Sequence, residues 1–199
     1  MKSLSTTLWV TLATVLAIIV TAAGFLSYGW SIEGAGAATR WTARLALPWF
    51  LLAWGASAQV TFWPGGWRQT LLRRRRALGL SFAFTHFVHL GALSSMSVIF
   101  GREHSVVALI GGGFTYVVIL AMAVTSNDAA IRRMGAKRWK VLHTWGGALI
   151  ALIFANSYLG LVGTDPALGA PAFTAIVGVT LLKAAAWRKR RATRLTATG

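Results

Sequence analysis

The stretch ALGLSFAFTHFVHLGALSSMSVIF, Ala77 to Phe100, contains no Asp, Glu, Lys or Arg. It is close to the roughly 20 residues that an α-helix needs to cross about 30 Å of hydrocarbon. Basic residues bracket it, Arg73 to Arg76 on one side and Arg102 on the other. In lipid, only a helix or a closed barrel satisfies its own backbone polar groups. A barrel would show short alternating strands, and this run is continuous. Five further runs read the same way: Leu8–Tyr28, Leu45–Trp63, Ser105–Ser126, Val141–Gly163 and Leu168–Trp187. The expected fold is therefore all-α. It is a polytopic membrane protein of six transmembrane helices, with residues 1–199 forming one domain and no room for a separate soluble one.

Composition agrees. Apolar residues make up 56% of the chain and charged residues 12%, against about 25% charged in soluble domains. The net charge of +16 comes from 20 Lys and Arg against 4 acids. These basic residues lie mostly between and beyond the apolar runs, in loops too short to build a nucleic-acid reading module, so no nucleic-acid partner is expected. The absence of Cys rules out thiolate metal sites and iron–sulfur ligation from this chain.

With the N-terminus inside, the inner side receives Lys2, Arg68, Arg73 to Arg76, Arg132, Arg133, Lys137, Arg138, Lys140, Lys183, Arg188 to Arg191 and Arg194, while the outer side keeps Arg40, Arg44 and Arg102. That is 17 against 3, and the positive-inside rule then makes both termini cytoplasmic and membrane lipid the surrounding partner. The first run is longer than a signal-peptide core and lacks a clear small-residue cleavage site, so it reads as a retained span. Trp30, Trp41, Trp63, Trp67, Trp139 and Trp187 near span ends suit an interfacial aromatic belt. Gly111–Gly113 falls inside the fourth run, away from any strand–turn–helix pattern, and predicts close helix packing rather than a phosphate loop.

The four histidines are the informative residues. His86 and His89 lie mid-span, three positions apart and so on one helix face. His143 is near the inner end of the fifth run, and His104 is in an outer loop. Metal-binding side chains inside a membrane are costly and mark functional sites by default. A neutral imidazole with a free nitrogen suits haem iron. Zinc would need three or four converging ligands, which the scarcity of acids and the lack of Cys disfavour. A proton pathway would show intramembrane Asp or Glu, and the runs have none.

Two segments carry a family resemblance: RRRALGLSFAFTHFVH, Arg74 to His89, and TSNDAAIRRMGAKRWKVLH, Thr125 to His143. They resemble the haem-binding membrane subunit of the bacterial periplasmic methionine-sulfoxide reductase system, within the wider ferric-reductase-like transmembrane superfamily. The resemblance covers most of the six-helix region, and its most specific parts are R-x-L-G-L and K-R-W-x-x-L-H. It implies a bundle holding one or two b-type haems between the third and fifth helices, in a bacterial inner membrane. On this pattern His89 is the outer iron ligand and His143 the inner one. Arg75 or Arg76 approaches the inner haem or pairs with its propionates, as guanidinium suits carboxylate. Arg73 to Arg76 serve equally as a topology signal that attracts anionic lipid.

One position departs from the pattern. Thirteen residues after His143 the resembled subunit carries a second His, and Asn156 stands there in this chain. An amide is a poor ligand for haem iron, and three arrangements stay open. His89 holds a five-coordinate haem; His86 contributes as a secondary group, although it shares a helix with His89; or the outer haem is lost and Asn156 hydrogen-bonds a neighbour.

The resemblance implies an electron-transfer subunit rather than a self-contained enzyme. Electrons would enter from a cytoplasmic flavin reductase or quinol, with a flavin or quinone at that side. They would leave to a periplasmic acceptor protein, in the resembled system a methionine-sulfoxide reductase. A haem-free membrane scaffold or assembly protein is the principal alternative, and a small transporter or proton channel a further one.

Overall fold

The computed structural model describes residues 5–196, except the side chain of residue 194. Lys2 therefore lies outside the described residues, as does the side chain of Arg194. The described chain is helical throughout: α1 (Thr6–Tyr28), α2 (Ile32–Phe62), α3 (Gly66–Arg73), α4 (Arg75–Val98), α5 (Val106–Val124), α6 (Asp128–Met134), α7 (Ala136–Val162) and α8 (Pro166–Thr196). Six of these, α1, α2, α4, α5, α7 and α8, are long and apolar enough to cross a membrane. All six runs expected from the sequence appear. α3 and α6 are short helices in the loops between them.

Two boundaries differ from expectation for physical reasons. α2 begins at Ile32 rather than Leu45. Its first turns are rich in Ala and Gly, with Ala35, Ala37 and Ala38 fully buried, and small residues hold a helix through packing that hydropathy does not register. α8 continues past Trp187 to Thr196, because Ala, Arg and Lys are strong helix formers even in water.

Local signals set the ends. The Ser5 and Ser105 side chains accept from Leu8 N and Ala108 N, each at 3.2 Å, and cap α1 and α5. Asn127 caps α6 by accepting from Ala130 N at 2.8 Å, and α6 stops at Gly135, φ +81°. Asp165 accepts from Leu168 N just before Pro166 opens α8.

The chain divides into two compact units. The first takes residues through Phe50 and Arg76–Trp139; the second takes Leu51–Arg75 and the remainder from Lys140. In the first unit, Gly24 of α1 lies directly against Ala38 of α2, where an added Cβ would come within 2.6 Å of the Ala38 nitrogen. Phe50 packs on Phe82 of α4 at 5.4 Å, and Trp9 meets Trp49 edge-on at 5.9 Å. α5 buries Thr115 and Ile119 and exposes Val107, Ile110, Phe114 and Val117 by 61–82%. Such a surface suits lipid, not water.

In the second unit, α2, α7 and α8 meet through glycines. Gly147 of α7 sits under the Trp54 ring, Gly55 of α2 faces Val179, and Gly169 of α8 faces Leu161 and Val162. The close packing expected at Gly111–Gly113 is absent: a Cβ at any of the three meets nothing within 4 Å among the described residues. Close approach falls at Gly24 and Gly147 instead, because there a facing backbone or indole ring occupies the space.

Gly24→Ala and Gly147→Ala should each lower the melting temperature in detergent, by overpacking that costs about 1–3 kcal/mol. Gly112→Ala should leave it unchanged or slightly higher, by up to about 1 kcal/mol of helix propensity. Equal effects at the three positions would refute this packing.

Candidate functional site

α4 buries one face, marked by Leu78, Ser81, Phe82, Thr85, Ala92 and Met96. His89, four residues after Thr85, falls on the same stripe. Its Nδ1 lies 3.0 Å from the Thr39 carbonyl oxygen and 3.1 Å from Thr42 Oγ1. A carbonyl only accepts, so Nδ1 carries the proton and donates. Thr42 is fully buried and its hydroxyl donates to the Ala38 carbonyl at 2.7 Å, which leaves its oxygen to accept from His89. In the neutral ring, Nε2 is then the nitrogen with a lone pair. This is the arrangement that orients a metal-ligating imidazole: one ring nitrogen anchored to the protein, the other presented to the metal.

His86 packs in an aromatic group. Its ring centroid is 5.0 Å from His89, 5.1 Å from Phe82 and 5.2 Å from Tyr116, which stacks on it at 29°. The buried hydroxyls of Ser81, Thr85 and Tyr116 have no hydrogen-bond partner among the described residues. An unpaired buried hydroxyl costs roughly 1–3 kcal/mol, so this wall beside the imidazoles is polar at a stability cost. His104, before α5, is half-buried. Among the described residues, no three His, Cys, Asp or Glu converge as a protein-only metal site would require.

The second unit holds His143, half-buried in the second turn of α7. Arg75 is close enough for its charge to act on that ring. Asn156 is exposed. Thirteen residues along an α-helix leave it roughly 140° around the axis from His143, whereas the buried Gly147, Ile150, Phe154 and Tyr158 share His143's side. Asn156 and His143 therefore lie on different faces of α7.

The two arginines proposed for the inner site separate. Arg76 pairs with Asp128 at the start of α6, both side chains exposed, while Arg75 is half-buried and belongs with His143. Sequence reasoning missed Thr39 and Thr42, which lie ahead of the expected second span. It also missed Tyr116, and it placed Lys183 with the basic group at the C-terminal end. The structure seats Lys183 half-buried against Trp54. Its position four residues inside the last apolar run was the available signal.

Comparison with known proteins adds one similarity. The chain is 39% identical over 98 residues to the protein-methionine-sulfoxide reductase heme-binding subunit MsrQ of Polaromonas naphthalenivorans (strain CJ2). The match takes in 46% of this chain and 42% of that protein, so it spans under half the length of either. No family model and no solved structure matches.

The Arg76 hydrogen bond, and then its charge, hold the Asp128 carboxyl below its usual range. A depressed folded-state value stabilises above the unfolded carboxylate pKa, about 3.9. That contribution fades as pH falls through the folded value. Both groups are exposed, so the contribution is small and screened by salt. Asp128→Asn should lower the melting temperature slightly at neutral pH, and the gap from wild type should close in acid or high salt. A gap independent of pH would mean that the ion pair is not its source.

Proposed function

We propose that this chain is a haem-binding, electron-transfer subunit of a membrane oxidoreductase system, in which His89 and His143 would hold the iron of b-type haem. The observation that carries the reading is the anchoring of His89 Nδ1 by Thr39 and Thr42, which presents Nε2 as a ligand within an apolar helix. The similarity to a heme-binding subunit supports it.

The residues fit this role in ways that follow from their chemistry. Thr39 and Thr42 fix the tautomer and ring plane of His89, and anchoring of this kind raises ligand basicity. His86 lies beside it and is itself packed by Phe82 and Tyr116. Arg75, close to His143, suits a propionate carboxylate, while Arg76 is already engaged by Asp128. Bound haem would supply reversible one-electron iron chemistry, and the protein its ligation and environment. Asn156, an amide and a poor iron ligand, stands on the other face of α7 from His143.

Further parts of the reading concern direction and partners. The bias of 17 basic residues to 3 supports both termini on the cytoplasmic side of a bacterial inner membrane. Electrons would come from a cytoplasmic flavin reductase or quinol and pass to a periplasmic acceptor, with a methionine-sulfoxide reductase the partner that the similarity suggests.

Protein purified from haem-replete cells should show a Soret band. His89→Ala and His143→Ala should each remove or reduce it, and the two losses count the haems. Thr42→Val should retain haem but shift the reduction potential, since ring anchoring tunes the ligand. A colourless wild-type preparation would overturn the reading and leave a haem-free scaffold.

A further inference from the structure

Among the described residues, the second unit carries half-buried positive charge that no acidic side chain neutralises. Lys183 lies well inside α8, where its ammonium donates to the Trp54 carbonyl at 3.2 Å and rests 3.8 Å from the centroid of the Trp54 ring. That ring is itself packed over Gly147 of α7, so the ammonium is held in place rather than free to extend. Two turns further along α8, Arg190 Nη1 donates to Thr61 Oγ1 of α2 at 2.6 Å. Arg75 and Arg190 both act electrostatically on Lys183. Lys183 and Arg190 thus lie two turns apart on α8, each held against α2.

Asp165 is the one acidic side chain in the sequence of this unit. It caps the opposite end of α8, about 27 Å from Lys183 at 1.5 Å per residue. Holding like charges together while partly removed from water is unfavourable unless an anion joins them. One carbonyl and one indole face use part of the donor capacity of an ammonium, which has three N–H groups. A guanidinium adds a planar fork that matches a phosphate edge.

From this arrangement we infer that Lys183 and Arg190 form a binding site for a phosphate group, either that of an acidic phospholipid headgroup or phosphate free in solution. Phosphate fits better than an isolated carboxylate because its several oxygens can accept from an ammonium and a guanidinium together. The exposed Trp187, one turn from Lys183, matches the aromatic belt of a headgroup layer. The inference stands apart from the haem reading, because Lys183 and Arg190 take no part in it.

The test uses the full chain purified in detergent. Its melting temperature is followed on adding phosphatidylglycerol, phosphatidylcholine or inorganic phosphate, each alone. Phosphatidylglycerol or inorganic phosphate should raise it by several degrees, and the responding compound identifies the source of the phosphate. Phosphatidylcholine should act more weakly, because its choline is repelled by the cluster. Lys183→Gln and Arg190→Gln should each abolish most of the response. Lys140→Gln, which removes the same charge from an exposed position, should keep it. Native mass spectrometry gives a second readout, with retained phosphatidylglycerol falling in the first two variants only. Arg190→Gln keeps the test decisive if Lys183→Gln fails to fold. A response that is absent in wild type, or that falls as much in Lys140→Gln as in the other two variants, would overturn the site.

Discussion

Hydrocarbon offers no hydrogen-bond partner, so each polar group within a span must find one inside the protein. Backbone groups do so by forming helices, and most hydroxyls follow by turning back on their own helix. Thr14, Thr21 and Thr115 donate to the carbonyls of Val10, Ala17 and Gly111 four residues earlier. Thr42 does the same toward Ala38, but its oxygen also meets His89. The same constraint thus builds the helices and fixes which nitrogen of a membrane-embedded imidazole is presented.

Apolar burial distinguishes this chain little from its solvent, because lipid is as apolar as the helices themselves. Packing then depends on close contact between small residues. Gly24 against Ala38 and Gly147 beneath Trp54 are such contacts, and the fully buried alanines of α2 line another. α5 lacks comparable contacts, and its large apolar side chains face outward.

Charge is arranged by the same rule. Arg76 and Asp128 form their pair at an exposed position, where desolvation is slight. Lys183 is drawn in against a carbonyl and an aromatic face, the neutral partners that an ammonium can use in a partly buried place. Arg75 and Arg76 are adjacent in sequence yet serve different neighbourhoods, since successive side chains on a helix point about 100° apart.

The six apolar runs and the presence of imidazoles within them were legible in the sequence by itself, because length and hydropathy are properties of single segments. The early start of α2 was not, since its alanines are held by neighbours rather than by hydropathy. Tertiary structure alone decided that Thr39 and Thr42 meet His89, that Arg76 pairs with Asp128, and that Lys183 packs against Trp54. It also set Asn156 on the exposed face of α7, where a count of thirteen residues from His143 gives spacing but not surroundings. Each of these depends on which residues of distant segments come within a few ångströms, and that is settled by helix packing rather than by any local pattern.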